Sequence, residues 1–174
     1  FMEIADKVGA DPNRVVTFHS LSKRSNLPGL RSGFAASGEQ NIQRMKQLRA
    51  YSGSPIPEPL QHISASVWDD EEHVIENRKI YKKKYDFADK IFADFDGYLS
   101  PAAGFFLWLD VGSGEKTALQ LWQSCGVRVL PGRYLSKDFD GHSPGDRFIR
   151  VAMVAEPEET NNGLVKIREF LREK

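Results

Sequence analysis

Apolar positions in the first part of the chain fall into short blocks divided by turn formers. Phe1 to Val8 has helical spacing and reads as the tail of an amphipathic helix entered midway, with Gly9 as its stop. Asp11-Pro12-Asn13 reads as a turn. Strands are expected at roughly 14–19 and 31–37. The first is nearly all apolar, as in a strand covered on both faces. Gly38 ends the second, and a helix over 39–50 follows, with Ile42, Met45, Leu48 and Arg49 on one buried face.

Pro55, Pro57 and Pro59 stand at every second position of residues 51–59, which makes that segment extended. A short helix is predicted at about 60–68. Asp69-Asp70-Glu71-Glu72 then opens a long helix to about Phe95, its acids suited to the positive end of the helix dipole. Ile75, Tyr81, Tyr85, Ala88, Ile91 and Phe95 form its expected buried stripe, and Lys82-Lys83-Lys84 reads as solvated face. Residues 98–111 look hairpin-like, with Tyr98-Leu99-Ser100 and Phe105 to Val111 flanking a Pro101–Gly104 turn. A helix at about 115–125, a strand at Val127–Leu130, a polar loop over 133–146, a strand from Phe148 to Val154 and a helix over 157–172 complete the chain. The later part reads as a small α+β layer rather than a doubly wound sheet.

Composition narrows the function classes. Lysine plus arginine equals aspartate plus glutamate, 24 against 24, so no basic field calls for nucleic acid or an anionic membrane. Cys125 is the single cysteine, which rules out an intrachain disulfide and fits a reducing compartment. No apolar run is long enough to span a bilayer. The expectation is a cytoplasmic protein, and the uncapped start suggests a piece of a longer one.

The richest chemistry lies between the first two strands, in His19-Ser20-Leu21-Ser22-Lys23-Arg24-Ser25-Asn26-Leu27-Pro28-Gly29-Leu30-Arg31-Ser32-Gly33-Phe34. A lysine amine becomes nucleophilic when burial or a nearby cation lowers its pKa, and Arg24 and Arg31 are candidate cations beside Lys23. Ser20 and Arg31 suit phosphate oxygens, the arginine bidentately. An amine beside a phosphate site describes a pyridoxal phosphate pocket; a solvated basic turn is the alternative. Ser20-Leu21-Ser22-Lys23 also matches the Ser-x-x-Lys of serine acylases, but Ser-Asp-Asn and Lys-Thr-Gly are both missing from the sequence. Arg150 lies in an apolar strand with no acid within three residues, so a carboxylate from elsewhere must meet it, from the protein or from a substrate. Arg133 is either an exposed loop residue or a second anion contact. The four histidines lack metal-ligand spacing.

Ser-Leu-Ser-Lys at 20–23 followed by Pro-Gly-Leu-Arg-Ser-Gly-Phe at 28–34 resembles the signature of class I/II pyridoxal-phosphate-dependent aminotransferases of fold type I. The resemblance continues through Gly104–Leu109, Val129–Gly132 and Ile149–Val151. Ser22–Gly29, Val67–Val74 with Asn77-Arg78, and Gly141–Gly145 resemble the N-succinyldiaminopimelate aminotransferase branch. The fold implied is α/β, the C-terminal part of a fold type I transferase. Residues 1–70 would be a remnant of the large cofactor-domain sheet, and 71–174 the α+β small domain including the long connecting helix.

The resemblance also implies roles. Lys23 would be the catalytic Schiff-base lysine and proton carrier, with pyridoxal 5'-phosphate as cofactor. Ser20, Ser22 and Arg31 would hold its phosphate, and Arg150 the substrate α-carboxylate. The implied substrates are an amino acid and a 2-oxo acid, with N-succinyl-diaminopimelate and glutamate suggested by the branch. The implied partners are a homodimer mate and a preceding half that carries the aspartate for the pyridine nitrogen, a stacking aromatic ring, an asparagine and a tyrosine. A non-catalytic binding or assembly module that retains the fold is the alternative function.

Overall fold

The computed structural model describes residues 2–53 and 55–173, with no account of the Met2 side chain; the expectations for Phe1 and Ser54 lie outside them. The chain divides into two compact units, Phe1–Glu76 and Asn77–Lys174.

The first unit begins with α1 (Met2–Lys7), which stops at Gly9 in the left-handed conformation, φ 65°. Asp11 caps a 3-10 turn at Pro12–Arg14 by accepting from the Asn13 amide. Then β1 (Val16–Ser20) and β2 (Gly33–Ser37) form an antiparallel ribbon, Val16 opposite Ser37 and Ser20 opposite Gly33. Between them lie the one-turn helix α2 (Leu21–Arg24) and a 3-10 turn at Pro28–Leu30. α3 (Glu39–Tyr51) and α4 (Glu58–Asp69) follow.

Two expectations fail here. β1 is not covered on both faces: Val16 is 40% and Phe18 73% exposed, in a ribbon of two strands among the described residues. The α3 face that was expected to be buried stays open as well, with Leu48 67% exposed and Ile42 and Met45 half-buried.

α5 (Glu72–Ile91) starts on a cap, the Glu72 amide donating to Asp70 Oδ1 at 2.9 Å. In the second unit β3 (Phe106–Asp110), β4 (Leu130–Pro131) and β5 (Phe148–Ala152) form an antiparallel sheet in the order β3-β5-β4. α6 (Gly114–Cys125) and α7 (Pro157–Arg172) accompany it. The strand period of two sends Leu107, Leu109, Ile149 and Val151 into one core with Ala88, Phe92, Leu121, Met153, Leu164 and Ile167. Phe106, Trp108, Phe148 and Arg150 alternate with those core positions.

From α5 onward four more readings are corrected. Ile75 is 48% exposed, whereas Val74 and Phe92 are buried. Lys84 is buried rather than solvated: its ammonium donates to the carbonyls of Met153 at 2.9 Å and Ala155 at 2.6 Å. Tyr98 to Ser100 forms no strand, since Tyr98 packs its ring on Phe92 at 5.5 Å and donates to Asp89. The strand expected at Val127–Leu130 shrinks to Leu130–Pro131, and a 3-10 turn at Gly132–Leu135 takes over after the proline, which has no N–H for a ladder.

Candidate functional site

Ser20 ends β1 in extended conformation, and its hydroxyl caps α2 by accepting from the Ser22 amide at 3.2 Å. The Ser20 and Ser22 hydroxyls lie 3.1 Å apart, and Ser20 Oγ also donates to the Ser32 carbonyl at 3.2 Å. Leu21 is fully buried and ties its amide to the Ser32 carbonyl at 3.2 Å, so the start of α2 is fixed to the segment entering β2. Lys23 stands in the middle of this turn, exposed.

Arg31 closes the loop in a left-handed conformation, φ 52°, and uses Nη1 to donate to the Pro28 carbonyl at 2.8 Å. Gly33 is needed for close approach: a Cβ there would meet the His19 carbonyl at 2.6 Å. Ser20, Ser22, Lys23 and Arg31 thus share one loop of the first unit. Two adjacent hydroxyls, an amine and an exposed guanidinium form a donor set that suits a phosphorylated aldehyde, because the hydroxyls and guanidinium donate to anionic oxygens.

The Arg24 guanidinium is engaged at the end of α4. It donates to the carbonyls of Val67, Trp68 and Asp70, pairs with Glu71 and lies 4.9 Å from the centre of the Trp68 ring. These partners come from more than 40 positions away, and no local pattern announces them. A groove of about 1030 Å³ opens beside this loop in the first unit, lined by Phe18, His19, Arg31, Gly33, Phe34 and Trp68 among others; of the expected site residues only Arg31 lines it.

Arg150 belongs to the second unit, at the centre of β5, opposite Trp108 of β3 and Leu130 of β4. Its guanidinium carbon lies 4.3 Å from the centre of the Phe106 ring. Nε is buried without a hydrogen-bond partner, and among the described residues no carboxylate pairs with this guanidinium. The protein-acid partner weighed from the sequence is therefore replaced by an aromatic face, which the sequence could not show without the β3–β5 register.

Arg133 is exposed and engaged by protein acids, Asp146 at 2.7 Å and Asp138 at 3.7 Å. The Asp146 hydrogen bond is the main cause holding its pKa above the ordinary value. Among the described residues no group of acids, histidines and cysteines is arranged to hold a metal ion, and no helix is long and apolar enough to cross a membrane.

The sequence profile of the family "Aminotransferase class I and II" matches residues 1–167. A curated relative, the 4-dedimethylamino-4-oxo-anhydrotetracycline transaminase OxyQ of Streptomyces rimosus, is 30% identical over 152 residues, covering 86% of this chain and 40% of its own length. An LL-diaminopimelate aminotransferase of Dehalococcoides mccartyi is 25% identical over 160 residues, covering 89% of this chain and 40% of its own. Among solved structures, an aminotransferase from Neisseria meningitidis superposes with a TM-score of 0.91 at 37% identity, over 97% of this chain and 43% of that one. The chain thus spans about 40% of the length of the curated relatives it matches.

Proposed function

Since the chain belongs to the class I and II aminotransferases, a pyridoxal-phosphate-dependent family, we propose that it is the C-terminal part of an enzyme moving an amino group between an amino acid and a 2-oxo acid. The observation that carries this is the Ser20–Gly33 loop, a single connection that carries an amine, two hydroxyls 3.1 Å apart and an exposed guanidinium. When bound, pyridoxal phosphate supplies an aldehyde for condensation with amines and a conjugated ring that takes up the electrons of the substrate Cα–H bond.

Each residue then has a task. Ser20, Ser22 and Arg31 hold the phosphate through hydroxyl and guanidinium donors. Lys23 supplies the amine that the aldehyde meets at rest, and its Nζ moves the proton to and from the substrate α-carbon. Arg150 takes the substrate α-carboxylate, a reading supported by its unpaired buried Nε and by Phe106 beneath it. Residues 1–70 would be cofactor domain and 71–174 small domain, close to the division of the compact units after Glu76, acting with a further stretch of polypeptide and as a homodimer in the cytoplasm. N-succinyl-diaminopimelate and glutamate are the proposed amino donors, each passing its amino group to the 2-oxo acid of the other. This pairing rests on the stretches at Ser22–Gly29, Val67–Val74 and Gly141–Gly145, and on a diaminopimelate enzyme standing among the relatives.

The test is amino transfer by the full-length protein between glutamate and the 2-oxo acid of N-succinyl-diaminopimelate. Lys23→Ala should reduce turnover by about 100-fold or more, since the general acid–base contribution is lost. Arg150→Ala should act mainly on KM for the amino acid. Turnover that survives Lys23→Ala would contradict the assignment.

A further inference from the structure

We propose that Arg24 is the positioning residue of Lys23, anchoring the turn that presents the amine to the end of α4. This rests on the reading of Lys23 given above. α2 is a single turn, and a helix that short has no stability of its own. Its first residue is tied to the segment entering β2 through the buried Leu21. Its last residue is Arg24, whose side chain is only 8% exposed.

The Arg24 fork reaches where a cation is most useful. Nη1 donates to the Val67 carbonyl at 3.0 Å; Nη2 donates to the Trp68 carbonyl at 3.1 Å and the Asp70 carbonyl at 3.3 Å, and pairs with Glu71. Val67 and Trp68 lie in the last turn of α4, where carbonyls lack amide partners within the helix and carry the negative end of its dipole. Trp68 lies under the guanidinium and meets the rings of His19 at 5.2 Å and Phe34 at 5.0 Å, which flank the loop on β1 and β2. Lys23 is therefore held between two fixed points, Leu21 on the ribbon and Arg24 on α4. A planar fork with several donors can make this set of contacts; an ammonium on a flexible stem cannot reproduce it.

The experiment compares the full-length protein with Arg24→Met and Arg24→Lys. Two quantities are read: amide hydrogen exchange over residues 21–27 and 67–71 without cofactor, and the rate at which added pyridoxal phosphate gives a borohydride-stable adduct on the Lys23 peptide. Arg24→Met should speed exchange in both segments and slow adduct formation, each about tenfold, as expected when a reacting group loses its alignment. Arg24→Lys should fall between, keeping the charge without the fork. If Arg24→Met unfolds, seen as exchange rising along the whole chain, Arg24→Lys decides alone. A variant that melts at lower temperature yet forms the Lys23 adduct at the unsubstituted rate overturns the proposal and leaves Arg24 a merely structural cap. Failure of the unsubstituted protein to form any Lys23 adduct overturns the role of the amine itself, and needs no variant to be seen.

Discussion

A buried ammonium must find acceptors, and Lys84 finds two carbonyls, of Met153 and Ala155, just where the chain leaves β5 for α7. Burial pushes its pKa below the ordinary 10.5, with Glu156 acting the other way. Its ammonium also lies 4.9 Å from the centre of the Tyr81 ring. Lys84→Ala should cost about 1–3 kcal/mol, since the buried Met153 carbonyl loses its side-chain donor and the half-buried Ala155 carbonyl keeps only that of Thr160; urea unfolding checks it, and an unchanged midpoint would contradict it. The position was legible in part. Lys84 follows Tyr81 by three residues and precedes Ala88 by four, so helical spacing places it on the buried stripe. The lysines on either side made it look like one more member of a solvated run. Arg150 was expected to meet a carboxylate and meets the Phe106 ring instead, a neighbour visible only once β3 and β5 were in register.

Between elements, the segment after α5 is joined to α7 through Asp94. Arg168 donates to Asp94 Oδ1 and Arg172 to Oδ2, with closest distances of 2.8 and 3.0 Å. The Arg168 hydrogen bond, followed by that of Arg172, lowers the Asp94 pKa from 3.8 to about 2. A depressed folded-state pKa gives a contribution present above pH 3.8 and lost as pH falls through about 2. Asp94→Asn should therefore flatten the loss of stability between pH 4 and pH 2, measured by urea midpoints; an equally steep loss would contradict the pairing. Elements with strong period and punctuation were legible: α6 and α7 lie within a residue of their expected positions, ended or begun by Gly126 and Pro157. Strands with longer apolar runs were legible too, β1, β2, β3 and β5 lying within two residues of their expected ends, whereas the short pieces at Tyr98–Ser100 and Val127–Leu130 were not. Tyr98 had the composition of a strand, but its ring covers Phe92 instead.

At the scale of the whole molecule, the exposed apolar rings of the first unit and the chain's share of its relatives' length bear on the same question. Phe18 and Phe34, 73% and 48% exposed, line an open groove together with Trp68, and the chain accounts for about 40% of the curated relatives. The loop chemistry was readable because it is local, with cap, hydroxyls, amine and guanidinium all falling within Ser20–Arg31. What frames it was not, because Arg24 reaches α4 across more than 40 positions. The central claim is that Lys23 is the amine of a pyridoxal phosphate site. Its most direct test is to add pyridoxal phosphate to the full-length protein, reduce with borohydride and map the modified peptide by mass. A single stoichiometric adduct on Lys23, lost in Lys23→Ala, is the predicted result; no adduct, or adducts spread over the other lysines, would contradict it.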